Sequence, residues 1–176
     1  MIVQNSQSKL GSFLFNDTRV AWFWFFVRVY VGYEWFMAGW EKLGADPWTG
    51  SQAGGAVKGF LMGALTKTAG AHPDVSMWYA WFINHLALPN AVIISYLVTY
   101  GEIIVGVALI LGLFTGLAAF SGAFMNLNYL FAGTVSTNPL LLLLEFFLIV
   151  GWRVSGYIGL DYFIQPFMAK FLNKRR

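Results

Sequence analysis

The stretch Arg28-Val-Tyr-Val-Gly-Tyr-Glu34-Trp-Phe-Met-Ala-Gly-Trp-Glu41-Lys42 decides how the chain is read, because it closes a long apolar segment with charged residues. Arg28 stands about nine residues into a span predicted over 20–40. At about 1.5 Å per residue it falls near the middle of a hydrocarbon layer about 30 Å thick. A central arginine costs about 3 kcal/mol or more in lipid, so it must snorkel or meet an anion inside the protein. Arg28, Gly32, Trp35 and Gly39 share one helical face, and Tyr30, Glu34, Met37 and Glu41 share another.

The composition agrees with a membrane setting. Hydrophobic residues make up 58% of the chain, aromatic residues 19% and charged residues 11%. Soluble domains carry about 25% charged residues. The mean hydropathy is +0.62. At 176 residues the chain accommodates one domain, 1–176, with no internal repeat or low-complexity segment. The net charge of +3 is small and its basic residues are not interleaved with aromatics on a solvent-facing element, so no nucleic-acid footprint is expected. There are no cysteines, which removes a thiolate nucleophile, a disulfide relay, an iron–sulfur cluster and a cysteine zinc site from the chain's own repertoire.

The fold expected is all-α, a four-helix membrane bundle with spans near 20–40, 91–111, 117–133 and 139–158. Residues 1–18 are polar and lack a signal-peptide cleavage pattern, so they read as a retained cytoplasmic end. The segment 43–89 holds Asp46-Pro47-Trp48-Thr49-Gly50, Gly54-Gly55 and His72-Pro73-Asp74, which are turn signals of a large loop. Within it Ala56–Leu65 and Met77–Leu86 read as short amphipathic helices on the membrane face. A loop of this length is often a lid over a binding site. Tyr162 to Arg176 reads as an amphipathic tail. Lys9, Arg19, Lys170, Lys174, Arg175 and Arg176 crowd the two ends, against Lys42, Lys58 and Lys67 in the loop. The positive-inside bias therefore places both termini in the cytoplasm, the loop outside, and the protein in the plasma membrane as a multi-pass chain.

Depth sorts the polar residues of the spans. Arg28, Glu102 and Asn126 fall near the midplane, Glu34, Asn128 and Glu145 in the outer half, and Glu41 and Lys42 at the outer mouth. Arg28 and Glu102 read equally as a structural ion pair fixing helix register or as part of a site. Glu34 and Glu145 share a single intramembrane cation with Glu102, so the three carboxyls are not all expected to be ionised, and excess carboxyls suit proton exchange or substrate hydrogen bonding. Asn126 and Asn128 suit interhelical hydrogen bonding, and Trp35, on the Arg28 face, is the aromatic singled out for a ligand. His72 and His85 lie apart in the loop, so no metal site and no haem ligand within the bundle are expected.

Arg28…Gly32…Trp35-Phe36-Met-Ala-Gly39-Trp-Glu-Lys42-Leu43, with Gly101-Glu102…Gly106…Leu109-Ile-Leu-Gly112-Leu-Phe-Thr-Gly116-Leu-Ala-Ala and Gly159-Leu-Asp161, resembles the DoxX/DoxD family of small four-helix membrane proteins over nearly the whole chain. Arg28, Gly39 and Lys42 match the family's arginine and Gly-x-x-Lys ending the first span, and Gly101-Glu102 matches its Gly-Glu in the second. Gly116 stands where a basic residue is common, a departure at the cytoplasmic turn. The resemblance implies a membrane subunit of a thiosulfate:quinone oxidoreductase, with a DoxA-like small subunit as partner. On that reading quinone is substrate or bound ligand, Arg28 and Trp35 position its headgroup, Glu34, Glu102 and Glu145 are catalytic proton carriers, and Lys42 attracts the anion. Asn126 and Asn128 complete the expected binding set. The alternatives are a non-catalytic membrane scaffold for redox partners and a carrier of a small solute; a second copy of the chain, in a homo-oligomer, stands among the expected partners.

Overall fold

The computed structural model describes residues 9–164, which are helices and connecting turns with no strand among them. Most of the amphipathic tail expected over 162–176, and the first eight residues of the polar N-terminal end, lie outside the described residues. In chain order the helices are α1 (Lys9–Asn16), α2 (Ala21–Lys42), α3 (Gly55–Leu65), α4 (Met77–Phe82), α5 (Ala91–Leu111), α6 (Thr115–Phe131), α7 (Asn138–Val150) and α8 (Trp152–Ser155). A π turn over Ile83–Ala87 extends α4 toward α5.

Punctuation follows the turn residues. Left-handed Gly54 precedes α3 and left-handed Gly112 ends α5, conformations that cost glycine little. Pro139 sits in the first turn of α7, where its missing N–H removes no helical bond. The fourth span expected over 139–158 is corrected here: α7 stops at Val150 and the chain bends at Gly151 before α8. At Gly151 a Cβ would lie 2.9 Å from the Phe15 ring. The bend gives that ring room to stack with Trp24 and Phe147, at 5.5 and 6.1 Å between centroids, which fastens α1 to the end of α7.

Helices α2 and α5 pack antiparallel along most of their length, α6 packs on α7, and α5 touches α6 less extensively. Glycine makes the α2–α5 contact a backbone contact. A Cβ at Gly39 would sit 2.8 Å from Thr99 O and Ile103 N, and one at Gly32 would sit 2.9 Å from Gly106 O and Ile110 N. A Cβ at Gly106 would strike the Phe36 backbone. Such small-residue faces let helices approach where lipid offers no hydrophobic drive to associate.

The core has two parts. Trp24, Val31, Trp35, Leu109 and Leu148 fill the layer between the long helices. Val57, Leu61, Val75, Tyr79 and Ile83 form a second cluster where α3 and α4 fold over the Lys42 end of α2. Among the described residues one helix, Ala91–Leu111, is long and apolar enough to cross a membrane, with mean hydropathy 2.0 and only 33% of that window buried. Its neighbours miss that standard for local reasons. Helix α2 carries Arg28, Glu34, Glu41 and Lys42, and α7 is apolar but has 13 residues.

Gly106→Ala should therefore destabilise the fold by about 1–3 kcal/mol through overpacking at α2. Gly59→Ala, where a Cβ meets nothing within 4 Å, should be neutral or stabilising by up to about 1 kcal/mol. Thermal unfolding of both variants in detergent checks the contrast, and equal melting temperatures would refute the close contact.

Candidate functional site

A cavity of about 550 Å³ lies at the Lys42 end, lined by α2, α5 and α6 and by side chains of α3 and α4 such as Val57, Phe60 and Phe82. Its walls are mainly apolar, with polar side chains from Glu34, Asn128 and the turn over 134–138 and with one buried ion pair. The buried Glu102 carboxylate accepts from Lys42 Nζ at 2.6 Å and from the Tyr129 hydroxyl at 2.8 Å. Lys42 reaches back along its own helix, as helical side chains lean toward the N-terminus, and also donates to Ala38 O at 3.0 Å. Its ammonium sits 4.9 Å from the centre of the Trp48 ring, a cation–π contact that holds it from the loop side. Glu34 also lines the cavity, half-buried and without a hydrogen-bond partner among the described residues.

Behind this wall lies a second buried carboxylate. Glu145 on α7 accepts from Trp35 Nε1 at 2.5 Å and from Asn126 Nδ2 at 2.7 Å, so each of its oxygens has a donor. Gly122 leaves room for it, since a Cβ there would collide with the carboxylate. The Trp35 N–H is thus committed to Glu145, and Trp35 offers the cavity its ring. The Asn126 carbonyl is buried without a partner. Asn128 has a tethering place: Tyr79 on α4 donates its hydroxyl to Asn128 O at 2.9 Å and lies 3.2 Å from Oδ1. Burial pushes the Tyr79 hydroxyl up to about 12, so it stays a donor at neutral pH and holds α4 against α6.

The structure brings Glu34, Trp35, Lys42, Glu102 and Asn128 to one cavity and sets Asn126 and Glu145 directly behind Trp35. It separates Arg28 from all of them. The expected Arg28–Glu102 pair does not form, because the α2–α5 register faces Gly39 with Thr99 and Gly32 with Gly106, which leaves Arg28 opposite Gly112. Lys42 lies fourteen residues further along α2, a rise of roughly 20 Å. Arg28 is fully buried and donates through Nη2 to Ile158 O at 2.7 Å. Its opposite charge is Asp161, and Gly112 and Gly159 leave the space its guanidinium fills. Asp161 in turn accepts from the N–H groups of Phe114 and Thr115, at 2.7 and 2.8 Å, and caps α6 from across the chain.

Sequence reasoning missed Tyr129, Tyr79, Trp48 and Asp161 as members of these groups. For Tyr129 a signal existed, since it follows Asn126 by one turn on the small-residue face of α6. The others belong to segments whose packing no periodicity specifies.

Lys42→Met would leave Glu102 buried without its cation, a loss of about 3–5 kcal/mol that appears as a lower melting temperature. The double variant Lys42→Met/Glu102→Leu should recover most of it. Losses that simply add would show the two groups to be uncoupled.

No curated protein and no solved structure matches the chain. The DoxX family matches it over residues 23–135, which takes in nearly all of α2, the whole of α3 to α6, and Glu34, Lys42, Glu102 and Tyr129 of the cavity wall. The chain is a membrane protein of the DoxX family.

Proposed function

We propose that this chain is the membrane subunit of a quinone-linked oxidoreductase and that the cavity takes the quinone headgroup. What supports it is the mostly apolar space of about 550 Å³ with the hydrogen-bonded Lys42–Glu102–Tyr129 group in its wall. Small-molecule sites span about 300–1,000 Å³ and combine apolar walls with few polar groups, as here. In this reading α2, α5, α6 and α7 are four spans forming a bundle, with α8 completing the short fourth. Both termini face the cytoplasm and the 43–89 loop, carrying α3 and α4, covers the cavity from outside.

Bound quinone supplies an acceptor for two electrons and two protons. The chain's own residues do the rest. Lys42 and Tyr129 are the donors able to turn from Glu102 toward a carbonyl oxygen in the cavity. The proton for that oxygen leaves Lys42 or Tyr129, and Glu102, held between them, is placed to return one taken from the outer side by way of Glu34. Trp35 and Phe60 pack the ring. Glu145 is a positioning residue in this scheme, since it fixes Trp35 and faces no ligand, and Arg28 serves the fold at the other end.

Glu34 and Glu102 against one lysine give no net positive charge to attract an anion, so in this reading a small sulfur donor such as thiosulfate is oxidised at a partner subunit of the DoxA-like kind, which hands its two electrons to the quinone. A solute carrier is the weaker reading, because its path would run through Val105, Leu109 and Leu148, which are buried between the cavity and Arg28.

Solvent extraction of detergent-purified protein followed by mass spectrometry should find close to one quinone per chain. Ala38→Phe, which fills the cavity, should lose it, whereas Arg28→Lys should lower the melting temperature and keep it. Equal quinone in the native protein and Ala38→Phe, or none in either, would overturn the assignment and favour a scaffold for redox partners. Glu102→Gln should remove most quinone-linked turnover, by about 100-fold.

A further inference from the structure

We propose that the cavity opens sideways into the membrane between α5 and α6, and that its ligand is an amphiphile. An uncharged, hydrogen-bond-accepting headgroup lies beside Lys42, Glu102 and Tyr129, and its apolar chain leaves through this window. The inference rests on the cavity being a ligand site, as argued above.

Two side chains mark the window. Leu97 on α5 and Phe124 on α6 both line the cavity and are 66% and 60% exposed, against a buried Glu102 and Trp35 in the same wall. So large an exposure places them at an edge of the cavity and not in its depth. At Gly101 the contact between these helices is loose, since a Cβ there would meet only Met125 Sδ, at 3.5 Å. Met125 itself lines the cavity, and its unbranched, flexible side chain is suited to a movable contact. On either side the surface stays apolar, with Ile93 and Ile104 on α5 and Phe120 on α6 exposed. A chain leaving the cavity here would pass from protein to lipid without meeting water.

Charge selects the headgroup. An anion would meet the Glu34 and Glu102 carboxylates against one ammonium, and a cation would compete with Lys42 for Glu102. A neutral group that accepts from Lys42 or Tyr129 meets neither difficulty.

Gly101 is the residue that keeps the window open. Leucine there adds a good helix former whose Cβ would meet only the Met125 sulfur, and an unchanged melting temperature checks that the fold persists while the notch closes. The test uses full-length protein in nanodiscs and two probes that share a headgroup, a dimethoxy-methyl-benzoquinone with a decyl chain and the same ring without it. Binding is read by quenching of tryptophan fluorescence, corrected with empty nanodiscs. Gly101→Leu should weaken the decyl quinone about tenfold or more and leave the bare ring within about twofold of native. Loss of both probes alike, or of neither, would show that no chain passes between α5 and α6, with the cavity assignment intact. No binding of either probe to native protein, and no effect of Ala38→Phe, would overturn the cavity assignment and this inference with it.

Discussion

Helices α2 and α5 touch backbone to backbone, and that contact determines which charges can meet. With Gly39 seated on Thr99 and Ile103, and Gly32 on Gly106 and Ile110, the two helices have no freedom to slide. A shift of one turn would drive a side chain of one helix into the main chain of the other. The register then brings Lys42 within 2.6 Å of Glu102 and leaves Arg28 at the opposite end. A buried carboxylate without a cation is far costlier than one with a close partner, so the register and the ion pair support each other.

Two polar centres result, separated by an apolar layer that includes Leu109 and Leu148. They differ in what their geometry leaves over. At the Arg28 end the groups are turned inward: the guanidinium donates through Nη2 to Ile158 O, with Nε and Nη1 buried and unpartnered among the described residues, and both oxygens of Asp161 accept backbone N–H groups that α6 leaves unpaired at its start. That centre fastens the chain after α8 to the α5–α6 turn. At the Lys42 end the polar group borders open space, and its two donors share one acceptor. Donors arranged in that way can be redirected at modest cost, which is a property of a site more than of a clamp.

Much of this was legible in the sequence, and the limits are physical. The glycines of α2 and α5, the turn signals of 43–89 and its two short helices could be read from residue type and period, because those features are local. Lys42, Glu102, Trp35 and Glu34 could be picked out as candidates because polar groups in apolar segments are conspicuous. Their pairing could not. Counting depth from the span ends placed Arg28 and Glu102 at one level because it set the two helices flush, whereas the glycine contacts stagger them along their axes and put Gly112, not Glu102, opposite Arg28. Gly151 could not be read as a bend either, since a glycine in an apolar run is compatible with continued helix, and the ring of Phe15 that fills the bend comes from far away in the chain.

Glu145 shows how a buried carboxylate can matter to a cavity it does not border. Its two oxygens draw the Trp35 indole N–H and the Asn126 amide to the α7 side, which turns polar hydrogens away from the cavity and leaves it a flat ring. The polar character of the space then comes from Glu34, Asn128 and the turn over 134–138 as well as from the Lys42–Glu102–Tyr129 group, while Trp35, Phe60 and Leu61 supply apolar surface. The ion pair is the strongest of these polar elements, so it is the one that orients a guest before any reaction. Glu102 and Tyr129 stand on α5 and α6, the two helices that also carry the exposed Leu97 and Phe124. On the proposed reading, a ligand anchored in lipid therefore reaches the donors by the shortest way, across those two helices.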